Sequence, residues 1–379
     1  MKTMAYLDNN ATTPIRPQAL DAAHRAMQVV GNPSSVHGAG RAAKRLIEDA
    51  RQDVAHLLGA KSKQVIFTSG ATEANNLALI NFAQSHRVLV SAIEHDSILQ
   101  AGFDMEIIPV LPSGQIDLEA LEILLAQTQS DAPSGRQTLV SVMGVNNETG
   151  GIQPVEAVWN LARKYNALSH CDAVQMVGKL EINFEDGGPD LLSISSHKIG
   201  GPRGVGALIA DPNLELLPLI RGGGQEKNRR AGTENVAGIA GFGAAAKVAI
   251  DALDSWGEYK LLRDQIEGRL KQLVPDMQII GTQAPRVGTT TNLALPGIKA
   301  ETQVMAMDLA GVAVSAGAAC SSGKVKTSHV LSAMGYAPDV AGSAIRVSLG
   351  WTTTAGDIDK FIEAYTRFAN KNSSAGLIK

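Results

Sequence analysis

The chain of 379 residues is 44% apolar and 19% charged, an ordinary profile for a soluble globular protein, and it is long enough to predict two domains rather than one small core. A net charge of −3, from 34 basic and 37 acidic residues, argues against a nucleic-acid or anionic-membrane surface. Two cysteines, Cys171 and Cys320, exclude a disulfide framework and point to a reducing compartment. There is no basic-then-apolar leader and no run of 18 apolar residues, so a soluble cytoplasmic protein is expected, with no membrane partner.

Taken in chain order, residues 39–58 carry Leu46, Ile47, Ala50, Val54, Leu57 and Leu58 at helical spacing, with Gly59 as the stop. Val65–Phe67 reads as a strand, followed by a helix from Ala71 to Ala83. Val88–Val90, Ile107–Val110 and Leu139–Met143 read as buried strands. Pro154 opens a helix to about Tyr165, and Leu168–His170 is strand-like. Strands alternating with helices predict an α/β fold, a mainly parallel sheet covered on both faces. Beyond Trp256 the pattern changes to a helix over 257–273, strands at Gln278–Ile280, Thr291–Leu295 and Val312–Ser315, and a helix over 355–370. A domain change is expected near residue 255.

Several segments carry chemistry. Strand, then Ser69-Gly70-Ala71-Thr72, then helix is an anion-cradle pattern, although a plain helix cap has the same sequence. Lys198 follows an apolar strand beside Ser195 and His197; a lysine held in a partly buried pocket forms a Schiff base with an aldehyde cofactor, whereas a surface lysine does nothing. Asp172 ends a strand, where it suits a protonated pyridine nitrogen or a helix cap equally well. His95, after the strand ending at Ser91, suits stacking on an aromatic cofactor and proton shuttling, although a lone histidine is more often structural. His24, His37, His56, His86 and His329 lack such context and read as structural or surface residues. The Gly- and Arg-rich stretch 221–235 reads as an anion-facing or surface loop. Cys320 sits among small residues, Ser315-Ala-Gly-Ala-Ala-Cys-Ser-Ser-Gly323, which suggests an exposed reactive thiol, whereas Cys171 in its strand reads as inert. Arg346, inside an apolar run, needs an anion such as a substrate carboxylate or a structural partner. No His or Cys group has metal-ligand spacing, so no metal site is expected.

Tyr6-Leu-Asp-Asn-Asn-Ala-Thr-Thr-Pro14, Gly31-Asn-Pro-Ser-Ser-Val-His-Gly38, Phe67-Thr-Ser-Gly-Ala-Thr-Glu-Ala-Asn-Asn76 and Asn146-Asn-Glu-Thr-Gly-Gly-Ile-Gln-Pro154 stand in order with the segments around Asp172, Lys198, Thr233 and Cys320. Together they resemble the NifS/IscS-type cysteine desulfurases of group I, within the class V aminotransferase-like, fold type I pyridoxal-phosphate enzymes. The resemblance implies a large cofactor domain over 14–255 and a small α+β domain over 256–379 carrying the cysteine loop, with residues 1–13 packing on the latter. It implies pyridoxal 5′-phosphate on Lys198, with Asp172 at the pyridine nitrogen, Gln175 at the ring hydroxyl and His95 on the ring as acid or base. It also implies Ala71, Thr72, Ser195 and His197 at the phosphate, and Thr233 at the phosphate of a second subunit, hence a homodimer. Asn147 and Arg346 would hold the carboxylate of L-cysteine.

The activity implied is conversion of L-cysteine to L-alanine, with sulfur left as a persulfide on Cys320 and passed to an acceptor protein for iron–sulfur cluster assembly or thiolation. A proton acceptor such as His95 would serve the thiol. Selenocysteine lyase, cysteine sulfinate lyase and aminotransferase are the enzyme alternatives, and a catalytically silent interaction protein is the alternative outside catalysis. Three features depart from the pattern: a short stretch between His95 and Pro109, Trp351 where the family commonly has arginine, and no long C-terminal tail of the kind that docks a cluster scaffold.

Overall fold

The computed structural model describes residues 4–131, 137–253, 256–317 and 327–374. Its first elements are β1 (Ala5–Tyr6), α1 (Pro17–Met27), α2 (Gly38–Leu57), β2 (Val65–Thr68), α3 (Ala71–Ala83), β3 (Arg87–Ser91), α4 (Asp96–Leu99) and β4 (Glu106–Ile108). There follow α5 (Leu118–Asp131), β5 (Thr138–Ser141), α6 (Val155–Lys164), β6 (Leu168–Asp172), β7 (Leu191–Ser195), β8 (Gly206–Ala210) and α7 (Val236–Asp251). The remainder is α8 (Trp256–Leu273), β9 (Gln278–Ile280), β10 (Thr290–Ala294), α9 (Ala300–Leu309), β11 (Val312–Ala313), β12 (Ser315–Ala316), α10 (His329–Ala333), α11 (Pro338–Ala341), β13 (Ala344–Ser348) and α12 (Ala355–Ser374).

Among the described residues, seven strands form one sheet in the order β2-β8-β7-β6-β5-β3-β4. Only β8 runs against the rest, pairing antiparallel with both β2 and β7. The strands are buried on both faces and mostly apolar, with β6 (Leu-Ser-His-Cys-Asp) the clearest exception. Phe67, Leu89, Val140, Cys171 and Leu192 point into one core, under α2, α6 and α7. Their neighbours Ile66, Val88, Leu139, Leu191 and Leu208 point into the other, with α3. This is the two-residue alternation of a strand, with both sides buried and a small polar cluster of Ser141, His170 and Ser193 between the apolar positions.

A second sheet has the order β12-β13-β10-β9 and is antiparallel throughout. Its core draws on α8, α9 and α12, with Leu270, Leu293, Ile345, Phe361 and Tyr365 fully buried. The single strand predicted over Val312–Ser315 is two short ones. β11 pairs with β1 and β12 pairs with β13, so the chain changes sheets at Val314 and each half satisfies its backbone groups on a different partner. No single described helix is long and apolar enough to cross a membrane.

Candidate active site

In a mostly parallel sheet, every parallel strand delivers its carboxyl end to the same edge, and ligands bind there. Here the turns after β2, β3, β5, β6 and β7 line one cavity of about 910 Å³. Ten of the sequence-predicted residues lie on it: Ala71, Thr72, His95, Asn147, Asp172, Gln175, Ser195, His197, Lys198 and Arg346. Thr233 does not; it is exposed beside a separate space of about 170 Å³. Cys320 lies outside the described residues, and Gly317 and Thr327 on either side of that segment line the cavity.

The anion cradle follows from how α3 begins. Gly70 caps the helix with no side-chain hydrogen bond, so the first N–H groups have no side-chain cap, and Ala71 and Thr72 face the cavity. β8 crosses directly beneath: a Cβ on Gly206 would stand 2.6 Å from the Gly70 carbonyl carbon. Only glycine allows that approach.

Asp172 ends β6 and is 6% exposed. Asn75, from the buried face of α3, donates to its Oδ2 at 2.9 Å, and the Val174 N–H donates to Oδ1 at 3.0 Å. Lys198 follows β7, with its Nζ on the carbonyl oxygens of Asn10 and Ala11, the latter at 2.9 Å. Burial, with the Arg346 charge second, lowers its pKa from 10.5 to about 8, against the opposing pull of Asp172 and Asp8. His197 is lowered to about 4 by burial and by the charges of Lys198 and Arg203, so it is neutral near pH 7.

Sequence reasoning did not single out Asn10. Its carbonyl takes hydrogen bonds from Lys198 and, at 3.0 Å, from Gln175 Nε2; its side chain donates to Asn147 O and Thr290 Oγ1 and accepts from Lys179. It joins the N-terminal segment to both sheets at the reactive lysine. Only the opening motif around it could have flagged it. Glu148 and His329 were also missed, and both line the cavity. Burial raises the Glu148 carboxyl, and it accepts from Ser328 Oγ at 2.6 Å.

Arg346 is 3% exposed and comes from the middle of β13. Its Nη2 pairs with Asp8 at 2.8 Å and its Nη1 donates to Asn147 O at 3.2 Å, but its buried Nε has no partner among the described residues. An unpaired buried N–H costs about 1–3 kcal/mol, so this guanidinium is set to receive one more acceptor. Cys171 is fully buried in β6, and burial raises its thiol well above the ordinary range, in keeping with an inert residue. Trp351 donates Nε1–H to Pro14 O at 2.8 Å and lies under Arg16.

A lysine of lowered basicity, an aspartate held by two hydrogen bonds at the end of the neighbouring strand and an open helix N-terminus suit pyridoxal phosphate: one amine, one partner for the ring nitrogen, one phosphate cradle. The fold and this site together define a pyridoxal-phosphate enzyme of fold type I. The aminotransferase class-V family profile matches residues 5–361. The chain is 38% identical to the cysteine desulfurase IscS of Dictyoglomus turgidum, over 98% of this chain and 96% of that one. It is 41% identical to a cysteine desulfurase of Cereibacter sphaeroides, over 94% of each. Among solved structures, the NifS-like protein of Rickettsia africae aligns with a TM-score of 0.88 at 40% identity, covering 97% of this chain and 99% of that one. The chain belongs to the aminotransferase class-V family, in its cysteine desulfurase branch of NifS/IscS type.

Proposed function

We propose that the protein removes sulfur from L-cysteine and holds it as a persulfide on Cys320, releasing L-alanine. The observation that carries this reading is the convergence on one cavity of the Lys198 amine, the Asp172 carboxylate, the uncapped start of α3 and the orphan Nε of Arg346. Three of these fit the cofactor and the fourth fits a substrate carboxylate.

In this reading Lys198 holds the cofactor covalently. Its lowered basicity lets a useful fraction of the amine stand unprotonated near neutral pH and lets it take the substrate's α-proton once released. Asp172, fixed by Asn75, keeps the ring nitrogen protonated. Bound pyridoxal phosphate supplies the electron sink for the carbon chemistry. Ala71, Thr72, Ser195 and the neutral His197 bind the phosphate, Gln175 meets the ring hydroxyl and His95 covers the ring. Arg346 and Asn147 orient the substrate carboxylate. A thiolate on Cys320 attacks the substrate sulfur; the S–S bond forms, the C–S bond breaks, and its electron pair stays on the carbon that becomes the alanine methyl group.

The exposed position of Thr233, away from its own chain's cavity, supports a homodimer in which it serves the partner's phosphate. The two sheets with separate cores support division into a cofactor domain and a smaller domain. A cytoplasmic location and a sulfur-accepting protein partner complete the proposal. The test is to incubate the holoenzyme with L-cysteine and a reductant and to measure alanine and sulfide together, beside Cys320→Ser. Equal yields, lost in the variant, are expected; yields that survive the substitution would favour a lyase that does not use Cys320.

A further inference from the structure

We propose that His95 serves the cavity as a neutral hydrogen-bond donor, not as an acid or a base, and that Ser97 and Asn75 are the positioning residues that hold it so. The inference rests on the reading of His95 and Asp172 as groups that flank the cofactor ring, and adds to it what fixes the proton of His95.

The hydrogen bonds around His95 have one consistent direction. Asp172, as a carboxylate, can only accept, so Asn75 turns its Nδ2 towards it, 2.9 Å from Oδ2. The second proton of the same Nδ2 goes to Ser97 Oγ, also at 2.9 Å. Ser97 Oγ stands 2.9 Å from His95 Nδ1, and the Ser97 backbone N–H reaches that same nitrogen at 3.1 Å. A backbone N–H can only donate, so Nδ1 is an acceptor, and the Ser97 hydroxyl then donates to it as well. The neutral ring therefore carries its proton on Nε2. Nε2 is on the far side of the ring from these bonds. It has no hydrogen-bond partner among the described residues, and His95 lines the cavity.

Burial makes this arrangement hard to reverse. Asn75 and Ser97 are both buried, Asn75 wholly out of water. Turning the Asn75 amide over would set its Oδ1 against the Asp172 carboxylate. Moving the His95 proton to Nδ1 would set it against the Ser97 N–H, whose place is fixed by the start of α4. That N–H bond by itself would only cap α4; the hydroxyl and the amide behind it add a second donor and lead back to Asp172. One amide thus braces the carboxylate for the ring nitrogen and, through Ser97, the histidine on the ring. A neutral imidazole with its proton already on Nε2 cannot accept another there. What it offers is an N–H to an electron-rich atom of the substrate, a service neutral imidazole can perform without passing the proton on.

The experiment has two parts, both on the holoenzyme. Ring ¹⁵N shifts of histidine-labelled protein are recorded at about pH 8, above the ordinary histidine range, with the His95 signals assigned by their loss in His95→Gln. They should place the proton on Nε2 and show Nδ1 as a hydrogen-bond acceptor; a proton on Nδ1 would overturn the proposal. Alanine formation at saturating L-cysteine is then compared among variants that keep the visible cofactor absorbance. His95→Gln, whose amide N–H reaches the place of Nε2, should stay within about tenfold of the wild type. His95→Leu has no donor and should fall about 10²-fold, as on removal of a single transition-state donor. Ser97→Ala removes one hydrogen bond and should slow the wild-type enzyme about 2- to 10-fold, yet slow His95→Leu no further. Gln as damaging as Leu would mean that His95 moves a proton, and the proposal falls. It falls too if Ser97→Ala costs as much in the His95→Leu background, since Ser97 then acts elsewhere. His95→Leu at the wild-type rate would instead remove His95 from the reaction, and with it the reading on which the proposal rests.

Discussion

Glu226→Ala tests how the glycine- and arginine-rich loop is held. Glu226, Lys227 and Asn228 adopt φ of 46°, 56° and 64°, three successive non-glycine residues in the left-handed region. Such residues cost roughly 1–2 kcal/mol each, so the loop stays in this shape only if clamped. The clamp is a buried ion pair. Arg51 Nη1 and Nη2 meet the two Glu226 oxygens at 2.7 and 2.8 Å, both side chains are nearly inaccessible, and the Phe67 N–H adds a third bond at 2.9 Å. Glu226→Ala leaves the Arg51 guanidinium buried, with Glu48 and the Val65 carbonyl remaining beside it. Losing one member of a buried pair costs about 3–5 kcal/mol, and relaxation of the loop returns part of that, so a loss of about 3 kcal/mol is expected. Native-state hydrogen exchange at the Phe67 amide should speed up by about 10²-fold, since 1.4 kcal/mol is tenfold. The double variant Arg51→Met, Glu226→Leu should recover most of the loss, because it leaves no charge stranded. Unchanged exchange at Phe67 in Glu226→Ala, or a double variant as damaged as the single one, would refute the clamp.

Three further outcomes follow from particular contacts. His170 is fully buried between Ser141 and Ser193, and desolvation lowers its pKa from 6.5 to about 4. The unfolded chain therefore takes up a proton that the native state refuses, so stability falls as pH drops from about 6.5 to about 4, by up to about 3 kcal/mol from this group. Urea titrations of His170→Gln should show a flatter dependence across that window, and an unchanged slope would remove His170 as the cause. Gly206→Ala drives a methyl group into the Gly70 backbone, so the purified protein should lose its visible cofactor absorbance while keeping wild-type circular dichroism; retention of the cofactor would show that the cradle can move. Asn75→Leu removes one of the two donors to Asp172, and a hydrogen bond to a charged group is worth about 1.5–3 kcal/mol, so cofactor retention on dialysis should weaken roughly tenfold or more. Equal retention would place the support of Asp172 elsewhere.

Much of this molecule is legible without coordinates. The parallel sheet shows in the sequence because strands covered on both faces are largely apolar: Val65–Phe67 and Val88–Val90 wholly so, and Leu139–Met143 but for Ser141. Ends were less well determined: β4 stops at Ile108, and β5 stops at Ser141, where the chain turns to line the cavity although its residues remain apolar. Helix α7 shows no periodic stripe, since it packs against both α1 and α2 and is apolar nearly all round. Lys198, Asp172 and the cradle at Gly70 could be picked out because each ends a strand of the same sheet, and topology carries such ends to one place.

Side-chain relations across the fold were not legible. Asn10 becomes the hub under Lys198 only when the N-terminal segment is laid between the two sheets. The orphan Nε of Arg346 depends on a partner 338 residues away in sequence. His329 reads as an ordinary surface histidine until α10 sets it against the Glu94 carbonyl and decides which of its nitrogens is free. Residue types and their order along the chain determine strand, turn and helix, because those depend on neighbours within a few residues. Which atom of each side chain is satisfied, and which is left to react, depends on distant groups meeting, and only the tertiary structure decides that.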